Sequence, residues 1–295
     1  MSSKLLLVDG HSYAYRAFHA IRSLNGPDGA PTNAIFGFVK MLLKLDLLLQ
    51  PTHRLVIWDG GLAADRLAAL PEYKAQRPPT PDALALQLPQ LADWLGSAGW
   101  ASLQEEGAEA DDWIGTYAKR AEAAGWKVVI ASSDKDFQQL VNDQVGLFNP
   151  NDKTEKIWGA ADVEAKIGVS PSQVVDWLAL VGDAVDNIPG VPGVGVKTAS
   201  DLLKRFGSID GLLAGAATIK HERLRVEVQA HAEVLRRNQH MVRLRCELVG
   251  GPELTALAPR ALEKPRLRQM YARWGFRSLL SELGEEGQAQ QGDLF

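Results

Sequence analysis

Nine carboxylates, Asp9, Asp59, Glu109, Asp111, Asp112, Asp134, Asp136, Asp183 and Asp186, stand in the first two-thirds of the sequence where hydrophobic runs end or helical patterns begin. Leu5-Leu6-Leu7-Val8 leads into Asp9, Leu55-Val56-Ile57-Trp58 into Asp59, and Val128-Val129-Ile130-Ala131 into Ser132-Ser133-Asp134. If these runs are neighbouring parallel strands, their carboxyl ends gather the acids at one sheet edge, where open α/β sheets hold their ligands. Two like charges about 4 Å apart repel by roughly 4 kcal/mol at an effective dielectric near 20, so a cation must sit among them. An oxygen-only donor set favours Mg2+ or Mn2+ over zinc, which asks for histidine or cysteine as well. Metal-assisted phosphoryl chemistry is the natural use of such a site.

The elements that must position these acids follow from hydrophobic periodicity. Strand patterns at 4–8, 54–58, 100–104, 127–131 and 145–148 alternate with helical patterns at 33–49, 82–97, 109–124 and 134–141. This alternation predicts an α/β fold with a mainly parallel central sheet flanked by helices. Between 60 and 82 the pattern is irregular: a short helical stretch at 62–70 runs into a proline-rich segment ending at Pro81. An excursion of that length in a compact domain serves as a lid or a binding loop. From Ser170-Pro171 to about 283 strand signals fade and helices follow. The expected division is an α/β domain over 1–168, a helical region over 169–283 and a polar tail over 284–295, with no internal repeat.

With 295 residues, 46% of them hydrophobic, the chain can bury a sizeable core. A single cysteine, Cys246, excludes an intramolecular disulfide and a thiolate metal site, and fits a reducing compartment. No apolar stretch has the length of a signal-peptide core or a membrane span, so a cytoplasmic location without membrane contact is expected. The net charge of −4 is biased by the nine clustered acids. Between 220 and 245, Lys220, Arg223, Arg225, Arg236, Arg237, Arg243 and Arg245 outnumber Glu222, Glu227 and Glu233, which suits either a solvated helix face or a phosphate-binding surface.

Each acidic motif alone has a plain structural alternative. Glu109, Asp111 and Asp112 open a helix, where acids complement the dipole. Asp134-Lys135-Asp136 suits a cap, and Asp183-Ala184-Val185-Asp186-Asn187 suits a turn. Their joint occurrence favours the metal reading. The segment 190–199 invites a phosphate-loop reading, but Val196 separates Gly195 from Lys197, where Lys should follow the last glycine directly. A glycine-rich hairpin between two helices is the alternative to a plain turn. Gly190, Gly193 and Gly195 would let the backbone turn tightly and, with Lys197 and Thr198, present N–H groups to a DNA phosphate.

Assembled, these residues resemble the bacterial and phage 5′-nuclease family of flap endonucleases and 5′→3′ exonucleases, which includes the N-terminal nuclease domain of bacterial DNA polymerase I. The resemblance runs from about 4 to 283. It is carried by Val8-Asp9-Gly10-His11-Ser12 with Tyr15-Arg16-Ala17-Phe18, by Asp59, and by Tyr73-Lys74-Ala75-Gln76-Arg77. It continues through Glu109-Ala110-Asp111-Asp112, Ser133-Asp134-Lys135-Asp136 and the run from Gly182 to Gly190 into a helix-hairpin-helix at about 183–206. The resemblance implies a PIN-like nuclease domain whose acids hold two or more Mg2+ or Mn2+ ions. Asp9, Asp59, Glu109, Asp111 and Asp112 would lie nearer the scissile phosphate, and Asp134, Asp136, Asp183 and Asp186 would form a second group. It implies a helical arch at about 60–82, where Lys74 and Arg77, with Arg16, act on the phosphate and Tyr73 stacks on a base. It also implies a K+ ion at the hairpin, DNA with a 5′ flap, nick or 5′ end as substrate, and a monomer.

One departure is the run Gly60-Gly61-Leu62, less polar than the resemblance leads one to expect. Without a following proofreading or polymerase domain, a free-standing nuclease is expected. The ending Gln291-Gly292-Asp293-Leu294-Phe295 resembles the peptide by which bacterial replication proteins dock on the sliding clamp, with Gln291, Leu294 and Phe295 as anchors. The rival readings are a ribonuclease built on a similar acidic sheet edge and a DNA-binding scaffold without catalysis.

Overall fold

The computed structural model describes residues 3–284. Six strands, β1 (Lys4–Asp9), β2 (His53–Trp58), β3 (Ala101–Gln104), β4 (Lys127–Ala131), β5 (Val145–Phe148) and β6 (Ile157–Trp158), form one sheet in the order β3-β2-β1-β4-β5-β6. β1 pairs in parallel with β2 and β4, β4 with β5 likewise, and β6 runs antiparallel to β5. Leu5, Leu6, Leu7 and Val8 are fully buried, which is why β1 reads as a continuous hydrophobic run rather than an alternating one.

The helices of the first half are α1 (Gly10–Ala20), α2 (Asn33–Leu49), α3 (Ala64–Ala69), α4 (Asp82–Ala85), α5 (Leu88–Ser97) and α6 (Ala110–Ala123). Those of the second are α7 (Ala160–Ile167), α8 (Val174–Val181), α9 (Val196–Phe206), α10 (Ile209–Gly215), α11 (Glu222–Ala230), α12 (Ala232–Val242), α13 (Lys264–Trp274) and α14 (Arg277–Glu282). Four details differ from the sequence reading. Helix α1 and strand β6 are additional, and the helix expected at 134–141 is a 3-10 turn, Asp136–Leu140. The helix expected at 82–97 breaks in two because Pro89, in the first turn of α5, starts a helix but cannot continue one. Among the described residues no helix is long and apolar enough to cross a membrane.

Compactness divides the chain differently from the boundary expected after residue 168. The first unit takes the chain up to Ser12 with Pro51–Pro79 and Leu103–Leu257, and the second takes Tyr13–Gln50, Thr80–Ser102 and the chain from Ala258. The helical region joins the sheet in the first unit because α8 packs on the 3-10 turn after β4, and α12 packs on both α8 and α3. Asn238 on α12 is fully buried and donates to the carbonyls of Ala179 (3.0 Å) and Pro189 (2.7 Å), fixing the loop between α8 and α9. In that loop a Cβ on Gly190 would stand 2.2 Å from the Val181 carbonyl oxygen, so only glycine fits there.

In the second unit α2 buries Ala34, Ile35, Phe38, Val39, Leu42, Leu45 and Leu49 along one face. Its N-terminus lacks a local side-chain cap. Gln87, fully buried, supplies one from a distance: its Oε1 accepts from the backbone N–H of Ala34 (2.9 Å) and Ile35 (3.2 Å), while its amide donates to Asn33 Oδ1 (3.0 Å) and the Ala83 carbonyl (2.8 Å). Gln87→Leu leaves those two helix N–H groups without their acceptor, and is expected to cost about 2 kcal/mol. Thermal melting followed by circular dichroism checks this, and an unchanged midpoint would show that the cap is dispensable.

Candidate metal centre

Three of the acids come from strand ends. Asp9 closes β1, Asp59 directly follows β2 and Asp134 lies three residues beyond β4. The parallel register pairs Asp9 with Ile57 and Val8 with Ala131, so the three emerge at the same sheet edge. Asp59 Oδ1 accepts from the backbone N–H of Ala110 (2.9 Å), capping α6 and bringing the first turn with Asp111 to the same edge. The 3-10 turn supplies Asp136 and the loop after α8 supplies Asp183 and Asp186; one carboxylate oxygen of each lies within 4.8 Å of the others.

Apart from Asp59, the cap of α6, the acids then fall into two electrostatic classes. Asp9, Asp111, Asp134 and Asp136 have other carboxylates as their main charged neighbours. Burial, reinforced by Asp59 and Asp134, raises the Asp9 carboxyl to about 7 in spite of hydrogen bonds from the Ser12 N–H (3.0 Å) and Ser132 Oγ (3.0 Å). Asp111 is pushed well up by burial, then by Asp134 and Asp9, and Asp136 well up by burial, then by Asp134, Asp183 and Asp186. Burial also raises Asp134, with Asp186 and Asp183 adding to it. Asp136 Oδ1 is buried and finds no hydrogen-bond partner among the described residues. These donors fit a divalent ion: they are oxygens only, convergent, and short of positive charge.

The other class carries its own cations. Glu109, 1% exposed, accepts at Oε1 from Arg66 Nη1 (2.9 Å) and the Ala63 N–H (3.2 Å), and at Oε2 from Tyr73 Oη (3.0 Å) and Lys74 Nζ. Burial alone would raise its carboxyl, but Lys74 and Arg66 outweigh burial and pull it to about 2. Asp112, fully buried, accepts from Arg66 and Arg245 at both oxygens. Asp186 pairs with Arg77 (2.8 Å) and lies 3.8 Å from Lys74, and Asp183 pairs with Lys135 (3.1 Å).

Lys74 and Arg77 thus meet the acids within one unit, in a turn docked on the loop after α8. Lys74 N–H donates to the Asp186 carbonyl (3.0 Å) and Asn187 Nδ2 to the Glu72 carbonyl (2.8 Å). Two of the expected residues face partners within the protein. Tyr73 is 3% exposed with its hydroxyl on Glu109, so its ring offers no platform for a base in this arrangement. Asp112 has its lone pairs taken by arginine and backbone donors.

The remaining expected residues lie elsewhere. Arg16 is half-buried on α1 in the second unit. Gly190 serves packing, whereas a Cβ on Gly193 or Gly195 would meet nothing, and Lys197 is exposed with Thr198 at the N-terminus of α9. Gln291, Leu294 and Phe295 fall outside the described residues. Sequence reasoning missed Arg66, Ser132, Arg245 and His11, whose Nδ1 accepts the Asp59 N–H (3.1 Å). Arg245 carried a signal as the last member of the basic run, and His11 as part of the motif that carries the resemblance.

A family model described as the 5′-3′ exonuclease N-terminal resolvase-like domain matches residues 4–168, and one for the 5′-3′ exonuclease C-terminal SAM fold matches 169–264. The chain is 37% identical to the 5′-3′ exonuclease of Aquifex aeolicus over 292 residues, covering 99% of both chains. It is 38% identical over 291 residues to DNA polymerase I of Bacillus caldotenax, covering 96% of this chain but only 32% of that one. The chain thus spans about a third of the polymerase relatives it matches. Among solved structures, the T5 5′-exonuclease with bound divalent zinc ions superposes with a TM-score of 0.68 at 26% identity, covering 82% of this chain and 90% of that one.

The raised Asp9 carboxyl has a consequence for stability. The unfolded chain releases this proton near the ordinary 3.8 and the folded chain near 7, so the folded form binds more protons between the two. The Asp9 contribution to stability is therefore fullest below pH 3.8 and declines as pH rises through 7. In a chelating buffer at pH 7.5, Asp9→Asn is expected to melt above the unmodified protein, and Mg2+ to raise the unmodified midpoint more at pH 7.5 than at pH 5. Melting curves at the two pH values test both, and a lower midpoint for the variant would contradict the account.

Proposed function

The chain belongs to the 5′-3′ exonuclease family, and from that premise we propose a metal-dependent, structure-selective nuclease that hydrolyses DNA phosphodiester bonds at 5′ ends and flap junctions. The observation that carries this reading is the group Asp9, Asp111, Asp134 and Asp136 at one sheet edge, whose carboxyls are raised by burial and by one another and which form no ion pair among the described residues. A surface built only to bind phosphate gains nothing from uncompensated carboxylates. Mg2+ or Mn2+ would be held by these four with Asp59, Asp183, Asp186 and Glu109. When bound, two such ions supply activation of water and stabilisation of the leaving 3′ oxygen, giving a 5′-phosphate and a 3′-hydroxyl.

The chain's own residues orient the substrate. Arg77, with 42% of its side chain exposed, offers a guanidinium to the scissile phosphate beside Lys74, and Arg16 is a further phosphate contact. The open backbone at Gly193 and Gly195, Lys197 and the N-terminus of α9 form a helix-hairpin-helix grip on duplex phosphates, with K+ as its ion. Removal of primers and repair flaps is the role suggested by the DNA polymerase I relatives. Docking on a sliding clamp through Gln291, Leu294 and Phe295 would supply effective concentration at a junction.

End-labelled flap, nick and single-stranded DNA, incubated with Mg2+ or with a chelator, test the proposal. Incision near the junction in Mg2+ alone is expected. Cleavage confined to RNA would make the protein a ribonuclease, and binding without cleavage would make it a scaffold. Asp136→Asn should lower the single-turnover rate by about a thousandfold, on the order of 4 kcal/mol, while flap binding in Ca2+ persists. Lys74→Ala should lower it tens-fold, about 2 kcal/mol; an unchanged single-turnover rate with weaker binding would reduce Lys74 to a tethering charge.

A further inference from the structure

We propose that Arg66 is a positioning residue for the Glu109 carboxylate, and that Asp112 serves Arg66 rather than a metal ion; the inference rests on the nuclease reading above. An ionised carboxylate has about four lone-pair sites. At Asp112 all four are met: Oδ1 accepts from Arg66 Nη2 (2.8 Å) and the Arg245 N–H (2.9 Å), and Oδ2 from Arg66 Nη1 (3.0 Å) and Arg245 Nε (2.9 Å). Two of these donors belong to a guanidinium only 3% exposed, and one to the backbone, so these three do not swing away as a free side chain would, and the fourth, on the 38% exposed Arg245, is tied to Asp65 as well.

Arg66 is held as firmly. Its Nη1 reaches both Glu109 Oε1 (2.9 Å) and Asp112, and its Nη2 reaches Asp112 and the Arg243 carbonyl (3.1 Å). The planar fork is thereby fixed, which a lysine ammonium cannot reproduce. Glu109 is gripped at one oxygen only by this assembly. Its other oxygen, Oε2, faces Tyr73 and Lys74, the two residues that also approach Asp186 at 3.4 Å and 3.8 Å. Arg66 thus holds Oε1 and turns Oε2 toward the acids of the centre. A displacement of about 1 Å at a reacting site can cost on the order of a hundredfold in rate, so a loosened Glu109 would be felt in chemistry before it is felt in affinity. Arg245 completes the clamp from the far side, tied to Asp65 at 3.3 Å.

The test uses the full chain with Mn2+ alone, titrated calorimetrically, alongside single-turnover flap cleavage in Mg2+ and flap affinity in Ca2+. Asp112→Asn is expected to bind as many Mn2+ ions as the unmodified protein, whereas Asp111→Asn binds fewer. Arg66→Lys is expected to lower the single-turnover rate about ten- to a hundredfold while flap affinity stays within about twofold. Loss of an ion from Asp112→Asn, or an unchanged rate in Arg66→Lys, overturns the proposal. Should a single variant fold poorly, the pair Arg66→Met with Asp112→Leu removes both buried charges together and avoids stranding one of them. That pair is expected to keep the full Mn2+ count, and a missing ion again overturns the assignment. An unmodified chain that neither binds Mn2+ nor cleaves would sink the nuclease reading itself and the inference with it. Normal cleavage by the unmodified chain with the contrary variant pattern sinks the inference alone.

Discussion

Carboxylates brought to one edge of a sheet repel one another, and much of the first unit is arranged around that repulsion. Parallel pairing of β1 with β2 and β4 makes the gathering unavoidable, because the acids follow strands that all end on the same side. Left alone, such a cluster would drive its members to hold their protons, as the raised carboxyls of Asp9, Asp111, Asp134 and Asp136 show. The chain neutralises only part of it. Arg66, Lys74, Arg77, Lys135 and Arg245 cover Glu109, Asp112, Asp183 and Asp186. The residual negative charge is concentrated where a divalent ion is the natural complement.

Division of labour among identical side chains follows from position. Asp111 and Asp112 are neighbours on one helix, yet they point roughly 100° apart, so one meets carboxylates and the other two arginines. Asp59 combines two tasks: its Oδ1 caps α6, and its charge adds to the field that raises Asp9 and Asp111. The acids therefore build the scaffold as well as charging it, which explains why Asp59 capping α6 and a metal reading of the same residue are compatible rather than competing.

The fold was largely legible. The five expected strands appear within a residue or so of their predicted bounds, and β1, β2 and β4 do so because strands covered on both faces read as unbroken hydrophobic runs. Helix α1 was missed because it begins directly after Asp9, with no acid in its first turn and a mixed aromatic pattern. In the centre, the acids were visible by type and by placement at strand ends, but their partners were not. Arg66 meets Glu109 across 43 residues, and Arg245 meets Asp112 across 133. No local spacing encodes such pairings. The partner of Tyr73 is hidden for a related reason: the sequence gives a tyrosine beside two basic residues, but its hydroxyl is bonded to a carboxylate 36 residues away.

The turn that carries Lys74 and Arg77 shows how closely the two halves of the chemistry are tied. Lys74 and Asn187 both adopt left-handed backbone angles, φ 56° and 57°, which are costly for a lysine though tolerated by asparagine. Such strain persists only where surrounding contacts over-determine it. Here those contacts are the Lys74 N–H on the Asp186 carbonyl, the Asn187 side chain on the Glu72 carbonyl and the Arg77 pair with Asp186. The loop that contributes carboxylates to the acidic cluster is therefore the same loop that bends the basic turn into place. Any movement of Asp186 would be carried to Lys74 and Arg77 through these contacts, so that the basic turn and the acidic loop are set by one shared set of bonds.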